Sequence, residues 1–242
     1  MQKIDLKLMQ QRTLSYLGDH KQEGAFALSE EIEKCVEELE KEARFLGCYE
    51  KYALSFDEAG YPVIGELDLT LPSKDLKKLF SGCHAVCVLA TTLGVSYDRY
   101  VRRIMNGNMS HGVVLDAASS AYLECKTDLF EEELNLGPHT FRFAPGYGDL
   151  DLALNVPLLK AIRGDKKIGI THTASGLFVP QKSMLGVIGI YDEAAGGGMA
   201  GSDKSAGNGT STGNGDPACA TCAGKEDCSL RKRGGSCVTP KP

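Results

Sequence analysis

Apolar and polar residues follow a helical period in the segment that begins at Ser29. Apolar or small residues recur three and four positions apart, and glutamates and lysines fill the positions between them. The apolar stripe consists of Ile32, Cys35, Val36, Leu39, Ala43 and Leu46. The pattern predicts an amphipathic helix with Ser29 as its N-cap residue.

Strand patterns follow this helix. Residues 49–71 are rich in β-branched and aromatic residues and are interrupted at Ala59-Gly60 and Pro62, which predicts strands or a hairpin. The pair Pro72-Ser73 then predicts the start of a short helix. Residues 84–94 form an apolar run that ends in a turn residue, a pattern typical of a buried central strand.

The remaining globular part mixes helical and strand patterns. The expected helices are residues 96–134, in two pieces that meet at 106–108, and residues 152–162, interrupted by Pro157. The expected strands are residues 139–148, 168–173 and 183–191, the last two as a pair. Because strands and helices alternate without a steady βαβ rhythm, the fold class predicted is α+β, or mixed α/β, ending near Tyr191.

Composition narrows the function classes. The 242 residues are 42% hydrophobic and 24% charged, as in ordinary globular domains. The net charge of −5 is spread over interleaved acids and bases, which argues against a nucleic-acid partner. No stretch approaches the ~18 apolar residues that cross a bilayer, and the N-terminal residues lack a signal-peptide core. We therefore expect a cytoplasmic protein without a membrane partner.

The composition changes after Glu193. Residues 194–217 are dominated by glycine, serine and other small or polar residues, which predicts a flexible linker after a domain of residues 1–193. Residues 196–201 match G-x-G-x-x-G, the fingerprint of nucleotide-binding loops. That fingerprint needs a helix after it, and the residues that follow favour a linker instead.

The nine cysteines fall into two groups. Five lie among apolar segments and are expected to be reduced core residues: Cys35, Cys48, Cys83, Cys87 and Cys125. Four crowd the tail of residues 218–242 as C-x2-C-x5-C-x8-C: Cys219, Cys222, Cys228 and Cys237. Four thiolates this close favour one bound metal. The spacing fits neither a zinc ribbon nor a ferredoxin, so zinc, an iron–sulfur cluster and metal-free thiols stay as alternatives.

One octapeptide, residues 142–149, carries further candidate chemistry. Its Pro145-Gly146 pair predicts a tight turn that exposes backbone groups, flanked by the cation of Arg142 and the hydroxyl-bearing ring of Tyr147. The alternative is a strand that ends in an ordinary turn. The five histidines share no metal-ligand spacing and are expected to be structural: His20, His84, His111, His139 and His172.

This octapeptide resembles the R-x-x-x-G-Y motif of the S-adenosylmethionine-binding activation domain of cobalamin-dependent methionine synthase, through Arg142, Gly146 and Tyr147. Two more stretches are similar to that family in the same order. Residues 114–124, ending at Glu124, match its Ala-rich helix. Residues 168–190 match its closing strands through Ile168-Gly169, Thr173, Ser175, Pro180, Ser183 and Gly186.

The chain also departs from the family pattern. Gly148-Asp149-Leu150 replaces the family's proline and its Cys-Pro-acid-His-Thr run, and Ala174 replaces the glutamate of its Thr-Glu-Ser. The family's N-terminal acidic ligand has no evident counterpart. The resemblance covers residues 113–190 well and the region back to His84 more loosely.

The resemblance implies a twisted, largely antiparallel sheet flanked by helices and a role in corrinoid reactivation. In that reaction, one-electron reduction of inactive cobalamin is coupled to methyl transfer from S-adenosylmethionine, and the protein positions the reactants. By carry-over, Glu124 and Arg142 would clamp the amino-acid end of S-adenosylmethionine. Ala144, Pro145 and Gly146 would line the adenosyl pocket, with Tyr147 as its wall or hydroxyl donor.

The resemblance also implies partners. The chain lacks the D-x-H-x-x-G signature that ligates cobalt, so the cobalamin would come on a corrinoid-bearing methyltransferase. A reductase or flavodoxin-type protein would supply electrons, and an iron–sulfur cluster in the tail is a second candidate donor. Two alternatives stay open, namely a non-catalytic adaptor or chaperone for a corrinoid protein and a redox or metal-binding protein that acts through its cysteine tail.

Overall fold

The computed structural model describes residues 4–19 and 25–192, with side chains from residue 28 onward in the second range. The described residues form seven α-helices and seven strands. The helices are α1 (Leu6–Tyr16), α2 (Ala25–Glu42), α3 (Lys74–Leu79), α4 (Val95–Gly107), α5 (Met109–Glu133), α6 (Asn155–Ala161) and α7 (Gly164–Ile168). The strands are β1 (Leu46–Phe56), β2 (Pro62–Ile64), β3 (Leu69–Thr70), β4 (Cys83–Thr92), β5 (Thr171–His172), β6 (Phe178–Val179) and β7 (Ser183–Tyr191).

A five-stranded antiparallel sheet organises the fold, in the order β3-β2-β1-β4-β7. Strand β4 lies between two long neighbours and is buried along most of its length, which confirms the central strand predicted for residues 84–94. Val86, Val88 and Ala90 of β4 pack with α3, α6 and α7, whereas Cys87 and Leu89 belong to a separate apolar cluster. Both faces of the sheet are therefore covered, as the α+β prediction requires.

Helices α1, α2, α4 and α5 share a second core. Its buried members include Met9, Cys35, Tyr97 and Leu115. Asn108 separates α4 from α5 and caps α5 with its side chain, which confirms the two helical pieces expected in residues 96–134. All five described cysteines are buried and free, as predicted.

Helix α2 differs from its prediction at both ends. Ser29 lies inside the helix and accepts a hydrogen bond from Gln10 Nε2 (2.9 Å), so it is not the N-cap. Ile32 and Leu39 are buried as expected. Leu46 instead begins β1, where it pairs with Thr92 of β4, because strand pairing outweighs the local helical period.

Two strands predicted near β7 form only in part, and the pairing expected between residues 168–173 and 183–191 is wrong. Residues 139–148 lie along one edge of β7 through isolated bridges at His139 and Phe143, because four positions of this segment face three positions of β7 and the extra residue interrupts the ladder. β4 occupies the other edge of β7. Neither edge of β7 is therefore free to pair with residues 168–173, and only β5 forms there, in a separate hairpin with β6.

Pro157 does not interrupt a helix. Helix α6 begins at Asn155, so Pro157 lies in the first turn, where its missing N–H costs little. A 3₁₀ turn of residues 152–154 precedes it. No helix among the described residues is long and apolar enough to cross a membrane. The predicted linker (194–217) and cysteine tail (218–242) lie outside the described residues, so the division of the chain stays a prediction.

Candidate functional site

The turn predicted at Pro145-Gly146 is present and has a defined type. Tyr147 N donates a hydrogen bond to Ala144 O (3.1 Å), with proline second in the turn and Gly146 third at a φ of +92°. This combination is a type II turn, which requires a positive φ at its third residue and so favours glycine there. Gly146 and Tyr147 are exposed, and Pro145 is buried against the domain.

The residues that depart from the family pattern anchor this turn. The Asp149 carboxylate accepts hydrogen bonds from Ser73 Oγ (2.5 Å) and Lys74 N (2.7 Å) at the start of α3. Desolvation opposes the charge on Asp149, but these bonds outweigh it and hold the pKa of Asp149 below its ordinary value. Gly148 fits closely, since a Cβ there would lie 2.3 Å from Asp75 Oδ2. The turn is thus held against α3.

Arg142 reaches from the edge of the sheet to helix α5. Its aliphatic part crosses β7 at Gly186. Its guanidinium binds Glu131 Oε2 through Nη1 (2.5 Å) and Asp128 Oδ1 through Nη2 (2.8 Å), and the side chain is 13% exposed. The arginine is therefore already held by two carboxylates.

Helix α1 contributes two side chains that the sequence analysis did not anticipate. Arg12 Nη2 binds Asp128 Oδ2 at 2.7 Å, so Asp128 lies between two arginines. The Tyr16 hydroxyl donates to Glu124 Oε1. Arg12 Nε is buried without a hydrogen-bond partner and lies 3.7 Å from Glu124 Oε2. We call the set Arg12, Tyr16, Glu124, Asp128, Glu131 and Arg142 the α1–α5 network.

Burial dominates the electrostatics of this network. Desolvation raises the pKa of Glu124, and the Tyr16 hydrogen bond and the Arg12 charge partly oppose that rise. Desolvation also raises the pKa of Tyr16, with further contributions from the charge of Glu124 and from Tyr147. The turn begins at Ala144, two residues after Arg142, so it follows directly on the residue that binds Asp128 and Glu131.

The structure brings most of the predicted site residues to one region. Glu124 and Arg142 belong to the same network, although Arg12 and Asp128 join them and no ion pair between them is present in the described part of the chain. Ala144, Pro145, Gly146 and Tyr147 form the adjacent turn. Cys219, Cys222, Cys228 and Cys237 lie outside the described residues. Among residues 4–19 and 25–192, no group of three or more His, Cys, Asp or Glu side chains is suited to hold a metal.

The missed residues left a readable signal. Asp128 and Glu131 lie four and seven positions after Glu124, which places all three on one face of a helix. For helix α1, Asp5 is a typical N-cap residue before a run with apolar side chains at Met9 and Leu14. The pairing of α1 with α5 had no such local signal.

Comparison with known proteins supports the fold. No family model and no curated protein matches the chain. Among solved structures, it is similar to the crystal structure of the MetH reactivation domain bound to AdoHcy, with a TM-score of 0.55 and 14% sequence identity. The chain has the fold of the MetH reactivation domain. The match covers 70% of this chain and 66% of that chain, slightly less than two thirds of its length.

Proposed function

We propose that this protein binds S-adenosylmethionine beside the α1–α5 network and presents its methyl group to the cobalt of a corrinoid carried by a partner protein. The observation that carries the proposal is the convergence of Glu124, Arg142 and the Ala144–Tyr147 turn on one region of this fold. The solved structure with this fold is bound to AdoHcy. AdoHcy is the molecule that S-adenosylmethionine becomes when it gives up its methyl group.

The charge of the network suits this ligand. S-adenosylmethionine carries a sulfonium cation and a zwitterionic amino-acid end, so its net charge is positive. The network holds three carboxylates and two guanidiniums, for a formal charge of −1. Binding the cation would balance that charge, and complementary charge favours both affinity and selection of the ligand.

Unused hydrogen-bonding groups of the network can hold the amino-acid end. Arg142 has five N–H donors, and its two hydrogen bonds to carboxylates leave three for the ligand carboxylate. Glu124 accepts one hydrogen bond, from Tyr16, which leaves lone pairs for the ligand ammonium. The unpartnered Nε of buried Arg12 is a third polar group beside the same carboxylate.

The turn offers backbone acceptors for the adenosyl end. Within the described residues, the carbonyl groups of Pro145 and Gly146 accept no backbone hydrogen bond, and Gly146 and Tyr147 are exposed. The amino group of adenine would donate to these carbonyls, and the Tyr147 ring would flank the base. When bound, S-adenosylmethionine supplies the methyl group, and the residues of this chain orient it and exclude water.

The proposal includes the partners implied by the resemblance. A corrinoid-bearing methyltransferase would carry the cobalamin, and a reductase or flavodoxin-type protein would deliver the electron. The reaction belongs to methionine biosynthesis. A cytoplasmic location accords with the five buried, free cysteines of the described domain, since a reducing compartment keeps thiols unpaired.

Calorimetric titration with S-adenosylmethionine and AdoHcy tests the proposal. Both should bind the full chain, and Arg142→Ala should weaken binding by about tenfold or more, or about 1.4 kcal/mol. Arg103→Ala, on the exposed face of α4, is the matched control and should bind like the unaltered protein. Absence of binding by the unaltered protein would overturn the proposal. An anaerobic assay of cob(II)alamin loss, with and without S-adenosylmethionine and reductant, then tests the activity.

A second candidate function is a non-catalytic adaptor for a corrinoid protein. The observation that favours it is the Arg142 guanidinium, which already binds Asp128 and Glu131. In that case the protein would bind a corrinoid methyltransferase while showing no affinity for S-adenosylmethionine.

The alternative of a redox or metal-binding protein that acts through its cysteine tail has its own test. Anaerobic spectra and iron analysis of the full chain would show whether residues 218–242 carry an iron–sulfur cluster.

A further inference from the structure

Helix α1 meets the candidate site through residues one turn apart. Arg12 and Tyr16 are spaced i, i+4, so their side chains leave the same face of α1 toward α5. Arg12 is 6% exposed and reaches Asp128, whereas Tyr16 is 50% exposed and reaches Glu124 with its hydroxyl. The tyrosine ring therefore lies at the rim of the site, with its polar end directed at the carboxylate.

We propose that Tyr16 is a positioning residue that holds the Glu124 carboxylate in the orientation that receives the cationic part of the ligand. This inference rests on the proposed function. Tyr16 acts through Glu124 and is not itself assigned a contact with the ligand.

The geometry explains why Glu124 needs such a partner. Its side chain is 19% exposed, so water supplies little of its hydrogen bonding. The guanidinium of Arg12 lies 3.7 Å from the other carboxylate oxygen, Oε2, and makes no hydrogen bond to it through Nε. The Tyr16 hydroxyl is the hydrogen-bond donor that the described structure gives to Glu124. Removing it would leave the carboxylate free to rotate toward Arg12.

The charged groups around Glu124 predict a distinctive pH effect. The charged groups are Arg12 from α1, Asp128 from α5 and Arg142 from the segment beside β7, and the neutral Tyr16 hydroxyl of α1 adds a hydrogen bond. Desolvation raises the pKa of Glu124, and the Tyr16 hydrogen bond opposes this rise. Without the hydroxyl, the pKa of Glu124 rises further, and the carboxylate loses its charge at a higher pH. Binding of a cationic ligand should then fail at a higher pH on the acidic side.

Tyr16→Phe tests the inference because it removes the hydroxyl and keeps the ring. We expect S-adenosylmethionine to bind about five- to tenfold more weakly at neutral pH, as for loss of one ordinary hydrogen bond, because Tyr16 is half-exposed and acts through Glu124. The acidic limb of the Kd-against-pH curve should move to higher pH. Tyr100→Phe is the matched control, since Tyr100 donates to Glu38 (2.7 Å) between α4 and α2, away from the network. It should change neither quantity.

Carbon-13 NMR of the Glu124 carboxyl in the ligand-free protein gives a second readout. Its titration should move to higher pH in Tyr16→Phe and stay unchanged in Tyr100→Phe. If the unaltered protein binds S-adenosylmethionine and Tyr16→Phe matches it in affinity and pH profile, this inference is overturned while the proposed function stands. If the unaltered protein does not bind, both fall together.

Discussion

The side chain of Arg142 crosses strand β7 at Gly186, which has no side chain of its own to block it. A Cβ at position 186 would lie 2.4 Å from Arg142 Cγ, closer than two non-bonded carbon atoms can approach. The arginine stem therefore crosses the strand at the one residue type that leaves room for it, and its guanidinium reaches α5 beyond.

Gly186→Ala should displace Arg142 from its carboxylate partners. We expect the free energy of unfolding to fall by about 1–3 kcal/mol, as for overpacking in a filled core, and the binding of S-adenosylmethionine to weaken. Gly189→Ala is the matched control, because its Cβ would lie 2.7 Å from Cys83 Sγ, on the side of the strand away from Arg142. It should destabilise the protein and leave Kd unchanged. Equal Kd values for both variants would contradict the assignment.

Asp149 should contribute a pH-dependent part of the stability. Its folded-state pKa is lowered, so its contribution is present above the unfolded-state pKa of about 3.9 and is lost as the pH falls through the lower folded value. At pH 7, Asp149→Asn should cost about 0.5–1 kcal/mol, because solvent screens this exposed carboxylate.

Urea denaturation at pH 7 and pH 3 measures the Asp149 effect. The difference in the free energy of unfolding between Asp149→Asn and the unaltered protein should be smaller at pH 3 than at pH 7. Asp151→Asn is the control, because Asp151 accepts one hydrogen bond, from Ala153 N (2.9 Å), instead of joining the turn to α3. If this difference in the free energy of unfolding stays constant with pH, the charge of Asp149 does not contribute to stability.

The sequence predicted the elements whose signals are local. Strand β4 has an apolar run, and α5 has the cap Asn108 at its start, so both are found where expected. The edge of β7 is different, because the segment that pairs with it depends on the arrangement of the whole sheet and not on a local pattern. The segment beside it is held by bonds such as Phe143 N to Val187 O (2.9 Å), which no periodic pattern encodes.

The residues of the candidate site also differ in whether the sequence could predict them, for the same reason. Glu124, Arg142 and the turn were anticipated because three stretches of the chain resemble one family in the same order. Arg12 was not, since its bond to Asp128 spans 116 positions and α1 lies outside that resemblance. Local spacing indicates which residues share one face of a helix. Which face of α1 lies against which face of α5 depends on how the two helices pack, and local spacing does not encode that.

His111 should stabilise the helical core without affecting the site. Its ring lies between Glu31 Oε1 (2.5 Å from Nδ1) and Glu38 Oε1 (3.0 Å from Nε2) and is 15% exposed. His111→Leu removes a hydrogen-bond partner from both carboxylates, although Glu38 keeps the bond from Tyr100, and should lower the free energy of unfolding by about 1–3 kcal/mol.

Thermal and urea unfolding measure the His111 effect, with His172→Leu as the control. The exposed His172 contacts the carbonyl of Thr173 (3.1 Å), and its replacement should change stability by less than about 0.5 kcal/mol. Both variants should retain binding of S-adenosylmethionine. Weaker binding by His111→Leu would show that this cluster acts on the site.

Asp128 should be the most sensitive acid of the network, because each of its oxygens binds a different arginine. Oδ2 accepts from Arg12 (2.7 Å) and Oδ1 from Arg142 (2.8 Å). In Asp128→Asn, one arginine would face an amide N–H₂, so two donors would meet and the two guanidiniums would lose their shared negative charge. We expect the free energy of unfolding to fall by about 1–3 kcal/mol.

The control is Asp116→Asn, on the same helix as Asp128. It breaks the more exposed ion pair between Asp116 and Lys182 (3.0 Å) and should lower the free energy of unfolding by at most about 1 kcal/mol. Urea denaturation compares the two, and equal losses would mean that Asp128 does not join the arginines in solution.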